Sequence, residues 1–537
     1  MLSSTGLKDT YVYSDKQVRK DGKTVSVRSK MPVHQAKQTY SLPSYTKYIC
    51  SDAPTNLLRN NSAKYRYTIP KNSVHNLAHL SFQMTIKQTA SASCRVVPAW
   101  NWFEKIEFRL NGGDILSTIY PQSNFMSLFS AVRESHLPYL ARNVWFDDTP
   151  KSRYGVRRDV LPQDRIITVQ LPITGAFFNT SDFIYANSQQ DIIVEFTPAS
   201  SIVAETLSGT PVIDLQSLAI MVENTDHPAD EKRQRELEHK KSLHSALFLY
   251  PVEVIKTSQT LTAGTQYRFE LDSVAGKVAF IQFAVKPTST HLVNTNNGNQ
   301  KYINIGDENT SPATIDLVDS ANQSLFGDGT AINSKYLRQE IGAFHLQNDL
   351  LAQKPLYVIP LTSNVASAIN LGTKQGCLQF NSGDKNAVVI TPRAKVDEVQ
   401  TITFSNANNT AGWCKFGLGG DYTPALAYNA GATAVQNAIN ALPFCKRRGI
   451  TVSATAGDLE GTYALTFTCP EGNMEGELVD VISNLQDGSG VIDRPTVALS
   501  TVGQDGISSG SQYDIHAYCY VYHEISQYDG RVSVRRV

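Results

Sequence analysis

Trp102-Phe-Glu-Lys-Ile-Glu-Phe-Arg-Leu-Asn111-Gly-Gly-Asp-Ile-Leu116 decides the fold. From Ile106 to Leu110 apolar and polar residues alternate, the period of a strand with one face buried. Asn-Gly-Gly then supplies the residues that a tight reversal needs, and Ile115-Leu116 resumes an apolar pattern. Tyr120 to Phe129 follows, and the segment from Ser123 to Val132 reads as a short helix. A related order recurs roughly two hundred residues later, the sort of internal repetition that reveals a duplicated unit. There Ala313 to Leu325 runs through Gly327-Asp-Gly329 into a helical segment from Asn333 to Ile341. A strand, a polar turn, a second strand and a helix, present twice in a strand-rich chain, predict one β-domain in two copies.

A chain of 537 residues is too long for one hydrophobic core and predicts several domains. It is 41% hydrophobic, yet no apolar run approaches the length of a membrane-spanning helix, so a soluble protein is expected. The start, Met1 to Lys8, carries no apolar run of signal-peptide length, which argues against secretion by the usual route. Lys plus Arg and Asp plus Glu number 49 each, so no overall field favours nucleic acid and no sequence-specific nucleic-acid partner is expected. The ends are nonetheless basic. Residues 1–40 hold eight Lys or Arg against three Asp, and the chain closes on Arg531-Val-Ser-Val-Arg-Arg-Val537. The seven cysteines are scattered without any Cys-x-x-Cys pair, and read as buried thiols rather than a disulfide framework or zinc site.

Patterning divides the chain into five parts. Residues 1–45 read as an extended basic arm, and 46–224 as a first β-sandwich with alternating strands near 65–69, 77–86, 106–110, 166–171, 191–196 and 215–222. Residues 225–241 carry acids early and bases late, with Glu231 spaced to Arg235 and Glu236 to Lys240, as in an exposed helix. That segment has almost no apolar stripe and suits either a solvated linker or a docking helix for a neighbouring subunit. Strand patterns return at 247–254, 267–271, 278–285, 356–361 and 387–391. From 397 to 505 the composition shifts to Gly, Ala, Thr and Asn and includes one amphipathic helix, Ala432 to Leu442, before Ile515 to Glu524 resumes alternation. A second sandwich of 242–396 plus 506–537, interrupted by a small inserted domain, accounts for this order.

Catalytic patterns are sparse. No complete Gly-x-x-x-x-Gly-Lys-Ser/Thr phosphate loop and no His-Glu-x-x-His occurs. His75 and His79 lie four apart in a stretch that reads as loop entering strand, where that spacing does not converge on a metal. Asp147-Asp148 before Thr-Pro reads as a capped turn, and Asp328 as a polar turn without the spacing of a calcium loop. Tyr518, Tyr520 and Tyr522 share one strand face, suited to core or interface packing.

These residues resemble the double jelly-roll major capsid proteins of tailless icosahedral viruses, including membrane-containing bacterial viruses. Lys105-Ile-Glu-Phe-Arg-Leu-Asn-Gly-Gly113, the helix pattern after it and two β-blocks of similar size carry the resemblance, over about 45–395 plus 510–530. It implies an all-β fold of two tandem jelly rolls and a structural role rather than an enzyme. The subunit would trimerise into a pseudo-hexameric capsomer of the virion shell, made in the host cytoplasm and needing no cofactor. Neighbouring capsomers and minor capsid or penton proteins would be its partners. The basic arm would then face the shell interior, so that Lys8, Lys16, Arg19, Lys20, Lys23, Arg28, Lys30 and Lys37 become candidates for contact with an internal lipid membrane or the inner shell. A solvated tail remains the other reading of that arm. Residues 398–467 follow the order of a small repeat domain of phage structural and bacterial surface proteins, departing from it by Cys414, Cys445 and Cys469, which leaves open whether two of them pair. The alternative class is a carbohydrate-binding or adhesion protein, since sandwiches with small insertions also serve there. A glycoside hydrolase ranks below both, because no carboxylate pair stands out.

Overall fold

A computed structural model describes residues 11–120, 160–225 and 244–537, apart from internal stretches of which the longest are 33–42, 50–64, 173–183, 289–302, 338–356 and 366–376. The expected helices at 123–132 and 225–241 lie outside the described residues, as does most of that at 333–341.

Two eight-strand units follow one another with the same connectivity. In the first, the strands are Pro43–Ile49, Tyr65–Ile69, Ser73–Gln88, Phe103–Leu110, Ile115–Ile119, Ile166–Pro172 (continued by Ile184–Asn187), Ile192–Pro198 and Ile213–Thr225. One sheet orders them first, eighth, third, sixth; the other orders them second, seventh, fourth, fifth. In the second unit the strands are His244–Leu261, Tyr267–Glu270, Gly276–Pro287, Thr314–Val318, Ile332–Asn333, Tyr357–Pro360 (continued by Leu378–Phe380), Ala387–Thr391 and Ser511–Tyr528. Their sheets repeat the same two orders. Two four-strand antiparallel sheets interleaved in this way are a jelly roll.

Alternation explains why these segments pair as they do. Ile106, Phe108 and Leu110 are buried against Ile192, Val194 and Phe196 in the first unit, while Glu107 and Arg109 point to the other face. The turn after Leu110 closes with Gly113 in the left-handed region, its N–H donating to the Leu110 carbonyl. The second unit holds its own core, including Phe283, Ile315, Ile359, Ile390, Ile515 and Val521.

The related segment of the second unit departs from expectation. Thr314–Val318 forms, but the strand expected through Leu325 reduces to a single bridge from Val318 to Ser324, and Thr314 and Ile315 pair with Ile332–Asn333 instead. The Asp319 carboxylate accepts from the N–H groups of Ala321 and Gln323. That local capping satisfies the backbone inside the turn and ends the ladder early.

Between the seventh and eighth strands of the second unit lies a separately packed region. Its main sheet orders Thr451–Thr455, Thr462–Thr468, Glu398–Thr403 and Thr496–Thr501, and a smaller one is built on Trp413–Leu418. Helix Ala432–Asn440 turns Val435 and Ile439 onto them, and Phe416, Leu465 and Phe467 complete this third core. The N-terminal stretch, expected to be a single extended arm, folds back as a hairpin of Tyr11–Lys20 on Lys23–Pro32.

Candidate functional site

The chain's chemistry lies in its contacts, and the seam between the two sandwiches is built from both. Across the first unit, register places Arg66, Glu195, Glu107 and Thr118 in one row. Glu195 and Glu107 are buried and adjacent, a repulsive arrangement offset by cations: Arg66 reaches Glu195 at 2.9 Å, and Lys105 and Arg109 each reach Glu107 at 2.9 Å. Burial pushes the Glu107 carboxyl upward, but hydrogen bonds from Arg109 and Lys105 outweigh it and the net shift is downward. Glu107 is thereby held as an anion.

At the end of that row Thr118 shares a 2.9 Å hydrogen bond with the Tyr250 hydroxyl, which belongs to the first strand of the second unit. Tyr250 stacks on His523 at 4.6 Å, and Phe248 meets the same imidazole edge-on. Neither His523 nitrogen has a hydrogen-bond partner, and burial, with Arg536 adding to it, lowers its pKa to about 4. Tyr120 of the first unit packs 4.9 Å from Tyr518, whose hydroxyl donates to Glu253. Tyr520 stacks on Phe280 at 4.1 Å and donates to Gln282. Tyr518, Tyr520 and Tyr522 are all buried, on the face of their strand opposite the core residues Cys519 and Val521. The central strand of the second unit is therefore covered on both sides, and its tyrosines serve packing.

A second constellation holds the root of the insertion. Residues 393–396 and 504–507 run side by side, with Lys395 N–H donating to Ile507, Ile507 N–H to Arg393, and Val396 and Gln504 exchanging N–H bonds in both directions. Asp505, at the centre of this neck, accepts from the Asn304 amide at 2.9 Å. The Asn304 carbonyl oxygen accepts from the N–H groups of Gly306 and Asp307, while the Tyr357 hydroxyl donates to Asp307 and accepts from Ile305 N–H. Ser334 also donates to Asp307. All five side chains are buried, so this satisfied network fixes the neck to the second core. Gly306, at φ +117°, could carry no side chain here, since a Cβ would lie 2.6 Å from that of Arg393.

Of the candidate basic residues, Lys16, Arg19, Lys20, Lys23, Arg28 and Lys30 lie on the hairpin, where register sets Lys20 opposite Lys23 and Asp15 opposite Arg28. Lys8 and Lys37 lie outside the described residues, as do Asp147, Asp148, Asp328 and Cys469. Cys414 and Cys445 are buried in the third core and form no disulfide, and burial raises the Cys414 pKa to about 12. His75 sits within strand Ser73–Gln88, opposite Tyr185 and Asn224. No cluster of His, Cys, Asp and Glu among the described residues could hold a metal. Gly506-Ile-Ser-Ser-Gly510 has the spacing of a hydrolase nucleophile turn, but it leads into strand Ser511–Tyr528 rather than a helix, and Ser508 N–H donates to Tyr513. Sequence reasoning did not find the neck, because Asn304 and Asp505 meet only through tertiary structure.

The PBCV-1 virus capsid, known as a quasi-atomic model, aligns with this chain at a TM-score of 0.50 and 9% identity, covering 94% of this chain and 99% of that one. The fold is a double jelly roll. The PBCV-1 protein fitted into a reconstruction of the virophage Sputnik aligns at a TM-score of 0.49 and 10% identity over 94% and 99% of the two chains. The mavirus major capsid protein aligns at 0.39 and 8% over 94% and 93%. No protein-family model matches the chain, and no curated protein matches it in sequence. Within the double jelly roll the row that runs from exposed Arg66 through buried Glu195 and Glu107 to Thr118 and the tyrosines of Ser511–Tyr528 join the two halves, and the neck fastens the insertion to the second.

Proposed function

We propose that this chain is the major capsid protein of an icosahedral virus, three copies of which close into a pseudo-hexameric capsomer. The observation that carries this reading is the tandem repetition of one strand order in two jelly rolls, joined along a buried seam and aligning with the PBCV-1 capsid over nearly the full length of both chains. Three such chains supply six similar sandwiches, which a threefold axis arranges as a near-hexagonal tile. Residues 397–505 form an outward domain, and neighbouring capsomers and minor capsid or penton proteins are the partners of the tile within the virion. The basic hairpin faces inward, where each Lys or Arg near an anionic bilayer contributes about 1 kcal/mol of attraction.

Light scattering and negative-stain imaging of the purified full-length chain test this reading. A stable trimer with a six-cornered outline is expected, and a 59.1 kDa monomer at micromolar concentration would overturn it. For the arm, removal of residues 1–40 leaves the trimer intact and weakens binding to anionic vesicles, as does raised salt. Equal, salt-independent binding by both forms would rule that role out.

A further inference from the structure

The two edges of the main sheet in the inserted region are finished differently. At one edge, strand Thr451–Thr455 is capped by the helix: Asn440 donates to the Val452 carbonyl and accepts from Val452 N–H, and Gln436 accepts from Ala454 N–H. Those side chains occupy the backbone groups that a further strand would use. At the other edge, Thr496–Thr501 pairs only with Glu398–Thr403, and among the described residues nothing pairs with its outer side.

That outer strand lacks the usual protections of an exposed edge. Thr496-Val-Ala-Leu-Ser-Thr-Val502 carries no charge and no proline, and its residues are β-branched or small apart from Leu499. All but Val497 are exposed, so the strand projects beyond the core that its sheet covers. Leu499 is 43% and Val502 65% exposed, and the segment leading into the strand exposes Val491 at 55% and Ile492 at 53%. Apart from Leu325 and Val396, every exposed large hydrophobic among the described residues lies between 422 and 502. Apolar surface of this density beside open backbone donors and acceptors marks an interaction edge.

We propose that Thr496–Thr501 pairs antiparallel with the same strand of a second copy of this chain, fusing two inserted domains into one continuous sheet. Charge selects this occupant: an uncharged strand can face its own copy without placing like charges opposite each other, which a charged edge could not. Geometry selects it too, since antiparallel pairing of identical strands is twofold-symmetric and closes after one partner. The opposite edge, occupied by Asn440 and Gln436, cannot propagate the sheet further. This pairing does not depend on the capsid reading, because it requires only two copies of the chain.

A cysteine scan of the full-length protein tests the pairing. Val497, Ala498, Leu499 and Ser500 are each replaced by Cys, with Gly488→Cys on the nearby exposed turn as control, and interchain disulfides are read on non-reducing gels after mild oxidation. A symmetric strand pair predicts cross-linked dimers at one or two adjacent positions in the middle of the strand, well above the control. In parallel, Leu499→Lys places two cations against each other across the pair and is expected to weaken self-association, by sedimentation, about tenfold. A circular dichroism spectrum and melting temperature matching the wild type confirm that each variant is folded. Cross-linking no greater than that of Gly488→Cys at every scanned position, or unchanged sedimentation of folded Leu499→Lys, would overturn the proposal.

Discussion

The two jelly rolls differ most where their seventh and eighth strands are joined. In the first, Ile192–Pro198 reaches Ile213–Thr225 through a connection whose described structure is the short strand Ala204–Ser208. In the second, Ala387–Thr391 reaches Ser511–Tyr528 only after an entire third core. The sheet order is nevertheless identical, which teaches that the fold constrains the separation of the two loop ends and little of what lies between them. Loop closure rises only logarithmically with length, and the neck removes even that cost by holding residues 393–396 against 504–507. A second difference accompanies the first. The row Arg66, Glu195, Glu107 in the first unit corresponds to Arg268, Val389, Asp316 in the second. Where the row reaches the seam it carries two buried carboxylates with paired cations, whereas its counterpart keeps one carboxylate, which accepts from Ser324.

The sharpest way to break this comparison is to remove a side chain that the eighth strand of the second unit buries on its outer face. Tyr520→Ala leaves a cavity beside Phe280 and is expected to cost about 3–5 kcal/mol, read as a lowered denaturation midpoint. A loss below about 1 kcal/mol would mean that the Tyr520 ring is not tightly packed against Phe280.

Acid tests the seam itself. His523 has a folded pKa of about 4 against an ordinary 6.5, so the folded state disfavours its protonation. The associated stability is complete above pH 6.5, falls as pH drops from 6.5 towards 4, and changes no further below that. Linkage puts the loss at about 2–3 kcal/mol by pH 4. His523→Phe, which keeps the ring on Tyr250, should lack this component, and urea titrations of both proteins at pH 7 and pH 4 isolate it from the carboxylates. Parallel pH dependence in the two proteins would show that the imidazole is not sealed in the seam.

A smaller effect is expected at the neck. Asp505→Ala leaves the buried Asn304 amide without its acceptor and should cost about 1–2 kcal/mol, with faster amide exchange at Gln504 and Ile507 than in the wild type. Smallest of all is the response to shortening. Replacing residues 398–503 with a brief Gly-Ser linker, the neck retained, should shift second-unit stability by less than about 1 kcal/mol and leave assembly through the jelly rolls intact, while abolishing any association through Thr496–Thr501. Loss of soluble oligomer would show that the third core belongs to the second jelly roll after all.

The strands were legible because one face of each is buried. Ile106-Glu-Phe-Arg-Leu alternates apolar with polar and sets Ile106, Phe108 and Leu110 on the core face opposite Ile192, Val194 and Phe196, and the helix at Val435 and Ile439 announced itself by a spacing of four. Periodicity failed where pairing is set by a turn or by distant partners. The Asp319 carboxylate shortens a ladder that hydrophobic pattern alone would extend, and the N-terminal hairpin pairs two strands whose alternation is weak. The tyrosines at 518, 520 and 522 advertised a shared face, but their partners Tyr120, Glu253 and Phe280 could not be named without the fold. The neck was invisible for the same reason, since polar residues such as Asn304 and Asp505 carry no periodic signal and gain meaning only when the chain brings them together.

The neck has an evolutionary consequence. Because both ends of the insertion leave the jelly roll from one stitched pair of segments, recombination that joins new sequence at this point exchanges the inserted region without touching the second core. Such a junction lets new sequence accumulate on an architecture whose geometry is held constant, and makes it a natural place to graft a foreign peptide or tag.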